Sequence, residues 1–192
     1  MIRALLTTLG MLLILAVIGA GGGLFVFYKF GQALPDYRQL ADYEPPVMTR
    51  VHAGDGRLLA EYAVEKRVFV PIGAMPKKVI QAFLAAEDQN FYSHAGVDFT
   101  GVARAVLVNL KNLGSSRRLV GASTITQQVA KNFLLTNEVS WRRKVKEAIL
   151  AFRIERAFPK ERILELYLNE IYLGFGSYGV AAAAINYFNR SL

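Results

Sequence analysis

The chain contains no cysteine, which excludes disulfides, thiol nucleophiles and cysteine-ligated zinc. Histidine is almost as scarce. His52 and His94 stand far apart in the sequence and offer no metal-ligand spacing. Acids are outnumbered, 15 against 23 lysines and arginines, for a net charge of +8 and a pI near 9.8. That balance suits nucleic acid, anionic lipid or a phosphorylated substrate. There is no internal repeat and no low-complexity tract.

What the chain has in excess is apolar residues, 53% of the total. From Ala4 to Tyr28, "ALLTTLGMLLILAVIGAGGGLFVFY", no residue is charged, and a membrane-crossing helix needs roughly 20 such residues. A cleaved signal peptide has a shorter apolar core, about 7–15 residues, ending at small residues. Here "LFVFY" carries the run past "GAGGG", so the segment reads as an uncleaved anchor. Arg3 on one side and Lys29 and Arg38 on the other leave the positive-inside signal nearly balanced. Beside an anchor, lipid or lipid-linked phosphate becomes a better partner than DNA.

After the anchor, "GQALPDYRQLADYEPPV" reads as a polar linker ending in a double proline. "TRVHAGDGRLLAEYAV" offers two β-prone runs about an Asp55–Gly56 turn, and "KRVFVPIG" a third strand. Beyond Pro76 the pattern is helical. The first helix carries Val79, Ile80, Phe83, Leu84 and then Glu87 on one stripe. The second runs from about Phe99 to Leu113 and stops at Gly114. The third starts in "GASTITQQVAKNFLL", with Thr124 and Gln127 at capping-box spacing and Ile125, Val129 and Phe133 as the apolar face. The fourth, "SWRRKVKEAILAFRIERAF", has Ser140 as its N-cap and ends before Pro159. "KERILELYLNEIYL" is the fifth, and "VAAAAINYFNR", after the glycine loop "GFGSYG", the sixth. The fold class expected is mainly α.

Three features could carry chemistry. Glu87 closes an apolar stripe. Burial and the negative end of a helix dipole both disfavour a charged carboxylate, which suits a general base or acid. The alternative is that Glu87 or Asp88 accepts hydrogen bonds from the following loop, where His94 is expected to fix backbone groups. Thr124, Gln127 and Lys131 share one helix face, which is either a cap followed by a solvated lysine or the wall of a cleft. Finally, Arg142, Arg143, Lys144 and Lys146 crowd the first turns of the fourth helix, where cations oppose the macrodipole. A docked anion would reverse that cost. Glu147, four residues after Arg143 and three after Lys144, is alternatively a plain helix salt-bridge partner.

"EDQNFYSHAGVD", "GASTITQQVAKN", "RRKVKE" and "KERILELYLNEIYLGFGSYGVAAAA", in this order, resemble the motif series of peptidoglycan glycosyltransferases. These are the lysozyme-like polymerase domains of class A penicillin-binding proteins and monofunctional transglycosylases. The match runs from about Val70 to the end. The resemblance implies polymerisation of lipid II into β-1,4 glycan strands, with inversion at the anomeric carbon and release of polyprenyl pyrophosphate. It implies that Glu87 is the general base for the acceptor 4-hydroxyl and that Glu147 is the second motif glutamate. Lys131, Arg143 and Lys144 match basic positions around the donor pyrophosphate, and Arg104 a further one. Ser123, Thr124, Gln127 and Gln128 belong to the donor-cleft signature.

The expected organisation is a short cytoplasmic tail and membrane anchor over residues 1–30, a linker and β-prone segment over 31–75, and a C-terminally incomplete glycosyltransferase domain over 76–192. The resemblance further implies a bifunctional class A protein in the bacterial cytoplasmic membrane, crossing it once with the catalytic domain on the periplasmic or extracellular side. Its partners would be lipid II, the lipid-linked glycan chain, the membrane and cell-wall synthesis proteins, with no nucleic acid. No cofactor is assigned, although a divalent cation (Mg or Mn) bridging pyrophosphate and carboxylate stays open. The sequence departs from the family at Val139, where Arg or Lys is usual, and Arg142 is the neighbour that could replace that contact. It also ends before the family's further helices and carries no S-x-x-K or K-T-G transpeptidase motif. Two other functions remain open: a membrane-anchored lysozyme-like hydrolase, which has no phosphate for the basic cluster to meet, and a non-catalytic lipid II-binding module.

Overall fold

The computed structural model describes residues 2–32, 34–43, 49–62, 66–114, 117, 119–136 and 138–192. Among them are seven α-helices and four short strands, so the chain is mainly helical, as its periodicity predicts. The double proline at Pro45–Pro46 lies outside the described residues.

Helix α1 spans Ile2–Gly31. Its apolar stretch Leu6–Gly31 is long and apolar enough to cross a membrane, and none of its residues is fully buried in the protein. The next segment is more than a tether. A single 3-10 turn at Tyr37–Leu40, capped by Asp36, buries Leu40 completely, and Arg162 donates to the Leu40 and Ala41 carbonyls.

Strands β1 (Thr49–His52) and β2 (Leu58–Tyr62) form the expected antiparallel hairpin, with a bulge between Val51 and His52. Its turn depends on Gly56 at φ +83° and on Asp55, which accepts from the Arg57 backbone N–H at 3.0 Å. The third strand departs from expectation. Strand β3 (Lys66–Arg67) does not join the hairpin but pairs in parallel with β4 (Ser177–Tyr178), inside the glycine loop. Side-chain chemistry accounts for the choice. Buried Arg67 makes a two-point ion pair with Glu170 and lies over the Tyr178 ring at 4.6 Å. Asn169 takes the backbone of Val70 by both its amide groups, at 2.9 and 3.0 Å.

The remaining helices are α2 (Lys77–Glu87), α3 (Phe99–Lys111), α4 (Ile125–Leu134), α5 (Trp141–Ala157), α6 (Lys160–Glu170) and α7 (Val180–Phe188). Each forms where the sequence predicts, within a few residues. Helices α4 and α6 are the centre of the core. Ile125, Val129 and Ala130 of α4 meet Leu150 and Ile154 of α5 and Ile163, Leu164, Tyr167 and Leu168 of α6, all essentially inaccessible. The stripe of Val79, Ile80, Phe83 and Leu84 lays α2 against this core. Fully burying such a side chain contributes about 1.5–3 kcal/mol, which ties α4 to α5 and α6, while the partly buried α2 stripe gains a fraction of that per residue. Gly179, at φ +81°, permits α7 to start against α6. A Cβ there would lie 2.6 Å from the Asn169 carbonyl oxygen.

Candidate active site

The segment Glu87–Gly96 divides its labour. Phe91 is wholly buried in the core. Asp88 is buried as well and accepts the Ile125 backbone N–H at 3.0 Å, so it satisfies a donor at the start of α4. Asp88 also binds His94 Nε2, at 3.0 Å to each oxygen. Because the Gly96 N–H donates to Nδ1 of the same ring at 3.1 Å, the His94 proton sits on Nε2 and is given to Asp88. His94 therefore fixes backbone, as its loop position predicts. Gly96 itself, at φ +101°, passes so close to α5 that a Cβ would lie 2.7 Å from the Ala151 carbonyl carbon. Its carbonyl receives the Thr124 hydroxyl at 2.6 Å.

With Asp88 turned inward, Glu87 turns outward. It is the last residue of α2 and is exposed, which corrects the expectation of partial burial: the protein by itself does not desolvate this carboxylate. The stripe ends where α2 ends, and the core is sealed there by Asp88 and Phe91 instead. Glu87 Oε2 accepts the Gln128 amide at 2.9 Å. Its charge and burial together push the Tyr167 hydroxyl up from its ordinary value, burial being the larger cause.

Helix α4 carries the expected capping box. Thr124 Oγ1 accepts the Gln127 N–H at 3.2 Å, and Gln127 Oε1 accepts the Thr124 N–H at 3.0 Å. Both residues are buried, and the Thr124 hydroxyl is committed to these contacts. Gln127, Gln128 and Lys131 line a cavity, so the polar face of α4 is a cleft wall. Lys131 has no ion-pair partner among the described residues.

The basic cluster of α5 splits in two. Ser140 caps the helix by accepting the Arg143 N–H at 3.1 Å. Arg143 pairs with Glu147, and Lys144 reaches Glu147 at 2.6 Å and the Ser123 hydroxyl at 2.7 Å. The Glu147 side chain is 1% exposed, against 17% for Arg143 and 52% for Lys144. One buried carboxylate therefore orients two cations toward the cleft, leaving the trio at net +1. The other two cations go elsewhere. Arg142 lies beside the Trp141 ring at 5.8 Å and, with Lys146, lines a separate cavity. The four cations therefore do not all face one cavity.

Two adjoining cavities make the cleft. The larger, about 500 Å³, is lined by Glu87, Gln127, Gln128, Lys131, Arg143, Lys144 and Glu147. The smaller, about 210 Å³, is lined by Glu87, Asn90, Asp98, Arg104, Ser123 and Thr124. Ala86, Glu87, Val120, Gly121 and Ser123 belong to both, so Glu87 stands at the waist. The ten residues that the resemblance implies as catalytic or substrate-binding thus border one cleft, Arg104 from the smaller chamber. Sequence reasoning missed Asn90 and Asp98. Asp98 caps α3 by accepting the Gly101 N–H at 2.9 Å and the Thr100 hydroxyl at 2.6 Å, and it also takes the Asn90 amide at 2.9 Å. These three donors, Thr100 foremost, hold its carboxyl well below the usual carboxylate range. The signal was available, since an Asp immediately before "FTGVARAV" is an N-cap. Among the described residues no three His, Asp or Glu side chains gather as a metal-ligand group.

A family model described as transglycosylase matches residues 55–192. Penicillin-binding protein 1A of Rickettsia felis is 55% identical over 192 residues, covering all of this chain and 24% of that protein. The protein of the same name from Aquifex aeolicus is 47% identical over 169 residues, 88% of this chain and 23% of that one. That from Neisseria cinerea is 44% identical over 193 residues, again all of this chain and 24% of that protein. The chain thus spans about a quarter of the length of the curated relatives it matches.

Proposed function

Since this chain belongs to the transglycosylase family, we propose that its cleft polymerises lipid II into β-1,4 glycan as part of a class A penicillin-binding protein. The observation that carries the proposal is the waist position of Glu87, between a chamber rich in cations and a second chamber that mixes polar and apolar side chains. A transferase must hold a phosphate-linked donor on one side of its base and an acceptor hydroxyl on the other.

In this reading Lys131, Arg143 and Lys144 take the donor's pyrophosphate, each by charge-assisted hydrogen bonds. Glu147 holds Arg143 and Lys144 in place. The acceptor's 4-hydroxyl approaches Glu87 from the side of Asn90, Asp98 and Arg104. Glu87 takes its proton while the oxygen attacks the anomeric carbon of the lipid-linked chain. The carbon–oxygen bond to the pyrophosphate breaks on the opposite face, the α linkage becomes β, and polyprenyl pyrophosphate leaves with its charge matched by the cations. Desolvation of Glu87, absent in the protein alone, is supplied by the sugars that close over it. Gln128 keeps the carboxylate turned toward the cleft. Among the described residues a divalent cation has no ligand set of its own, so it would enter with the pyrophosphate.

We place residues 76–192 as the catalytic body, residues 31–75 as the linker and β-prone segment before it, and residues 1–30 as tail and single-pass anchor, the catalytic body lying outside the cytoplasm beside the exported lipid. Protease added to spheroplasts should digest the body, and protection until lysis would overturn that orientation. The function is tested by incubating the membrane-reconstituted protein with labelled lipid II. Polymer supports the transferase. Fragments from preformed glycan would instead show a hydrolase, and binding without turnover a module.

A further inference from the structure

Arg142 and Lys146, the two cations of the first turns of α5 that the cleft leaves unused, line a cavity of about 360 Å³ together with Lys29 of α1. Arg143 also borders it, but its guanidinium is held by Glu147 and by the Glu138 carbonyl. Among the described residues, Glu138 is the only acid in the lining. Lys29, Arg142 and Lys146 have no ion pair among the described residues; Lys29 and Arg142 merely lie near the rings of Phe25 and Trp141, at 5.9 and 5.8 Å. Unneutralised cations brought together from two separate elements repel one another, so folding alone gives no reason to gather them.

The place of the cavity supplies a reason. The apolar stretch of α1 ends at Gly31, and there α1 docks on α5. Phe30 packs edge-on against Trp141 with ring centroids 5.6 Å apart, and Arg153 donates to the Gly31 carbonyl at 3.0 Å. Trp141 and Tyr28 stay exposed, at 65% and 67%. Aromatic rings of this kind collect where a bilayer meets water. If α1 spans the bilayer as an anchor, the cations stand at the height of lipid phosphates with apolar Phe30 and Leu135 beside them.

We propose that this cavity binds the headgroup phosphate of an anionic phospholipid of the surrounding bilayer, separately from the substrate's pyrophosphate. Lys29, Arg142 and Lys146 neutralise the phosphate, while the acyl chains run along α1. The bound lipid fixes the height of α5, and hence of Arg143 and Glu147, each next in sequence to one of these cations, above the membrane. The proposal rests on the reading of α1 as an anchor, so the test separates the two.

Flotation with pure phosphatidylcholine vesicles tests the anchor alone, and failure to float overturns both readings. For the site, the protein is released from bilayers of equal phosphatidylglycerol and phosphatidylcholine, and retained lipid is counted by native mass spectrometry. The wild type should retain phosphatidylglycerol preferentially, even in excess inorganic phosphate. A cation at a membrane surface contributes about fivefold in affinity, so neutralising three should cost about a hundredfold. Lys29→Gln, Arg142→Gln and Lys146→Gln combined should therefore abolish the preference, whereas Lys29→Arg with Lys146→Arg should keep it. Circular dichroism checks the fold, and should the triple variant unfold, Lys146→Gln alone should lower the preference about fivefold. No preference in the wild type, displacement of the lipid by free phosphate, or an undiminished preference in the folded neutral variants would overturn the site.

Discussion

Replacing Glu147 by Gln removes a charge that the fold has buried at 1% exposure between two cations. Breaking a buried ion pair from one side costs about 3–5 kcal/mol when the remaining charge is left without solvent. Here Lys144 is half exposed and can turn to water, while Arg143, at 17%, cannot do so without leaving its place. The lower end, about 3 kcal/mol, is therefore the expected loss. In a chain of this size each kcal/mol lowers Tm by about 2–4 °C, so Glu147→Gln should melt roughly 6–12 °C early by circular dichroism with its helical signal intact at low temperature. Arg143 should also lose its direction. The same variant must then bind the pyrophosphate-linked donor more weakly and turn it over more slowly. A variant with unchanged Tm and unchanged donor affinity would refute the reasoning, because the carboxylate would then organise nothing.

Three further outcomes follow from the same geometry. Lys131→Ala and Arg143→Ala should each weaken use of the pyrophosphate-linked donor roughly tenfold or more, since a charge-assisted contact is worth about 1.5–3 kcal/mol. Phosphoglycolipid inhibitors that mimic the donor, such as moenomycin, should lose affinity in parallel, and unchanged affinity in both folded variants would remove the cations from the site. Asp98→Ala should cost about 1 kcal/mol at neutral pH through removal of the cap. Because folding lowers the Asp98 carboxyl, its contribution is complete above the unfolded value near 3.9 and is lost as pH falls toward the folded one. The Tm gap between wild type and Asp98→Ala should narrow below about pH 4, and a gap independent of pH would contradict the cap's charge.

The helices were legible because their signals are local. The stripe on α2, the Thr124 and Gln127 box and the Ser140 cap each act within a few residues, and each appears in the structure. The partner of β3 was not legible, since it depends on Arg67 meeting Glu170 and Tyr178 across the fold. The division of labour between Glu87 and Asp88 was hidden for the same reason. Both follow an apolar stripe, and only the long-range contact to Ile125 decides which of them turns inward. For the α5 cations the sequence shows four charges in five residues but not their directions. Those depend on Glu147 on one side and on the docked end of α1 on the other.

Glu87→Gln tests most directly whether Glu87 is the proton acceptor on which the proposed reaction turns. The side chain is exposed and meets the rest of the protein through the Gln128 amide, so the substitution should leave the fold and donor binding intact. Turnover of labelled lipid II by the membrane-reconstituted protein should fall about 10²–10⁴-fold, the usual contribution of a general base. Near-wild-type turnover across the pH range would contradict the assignment.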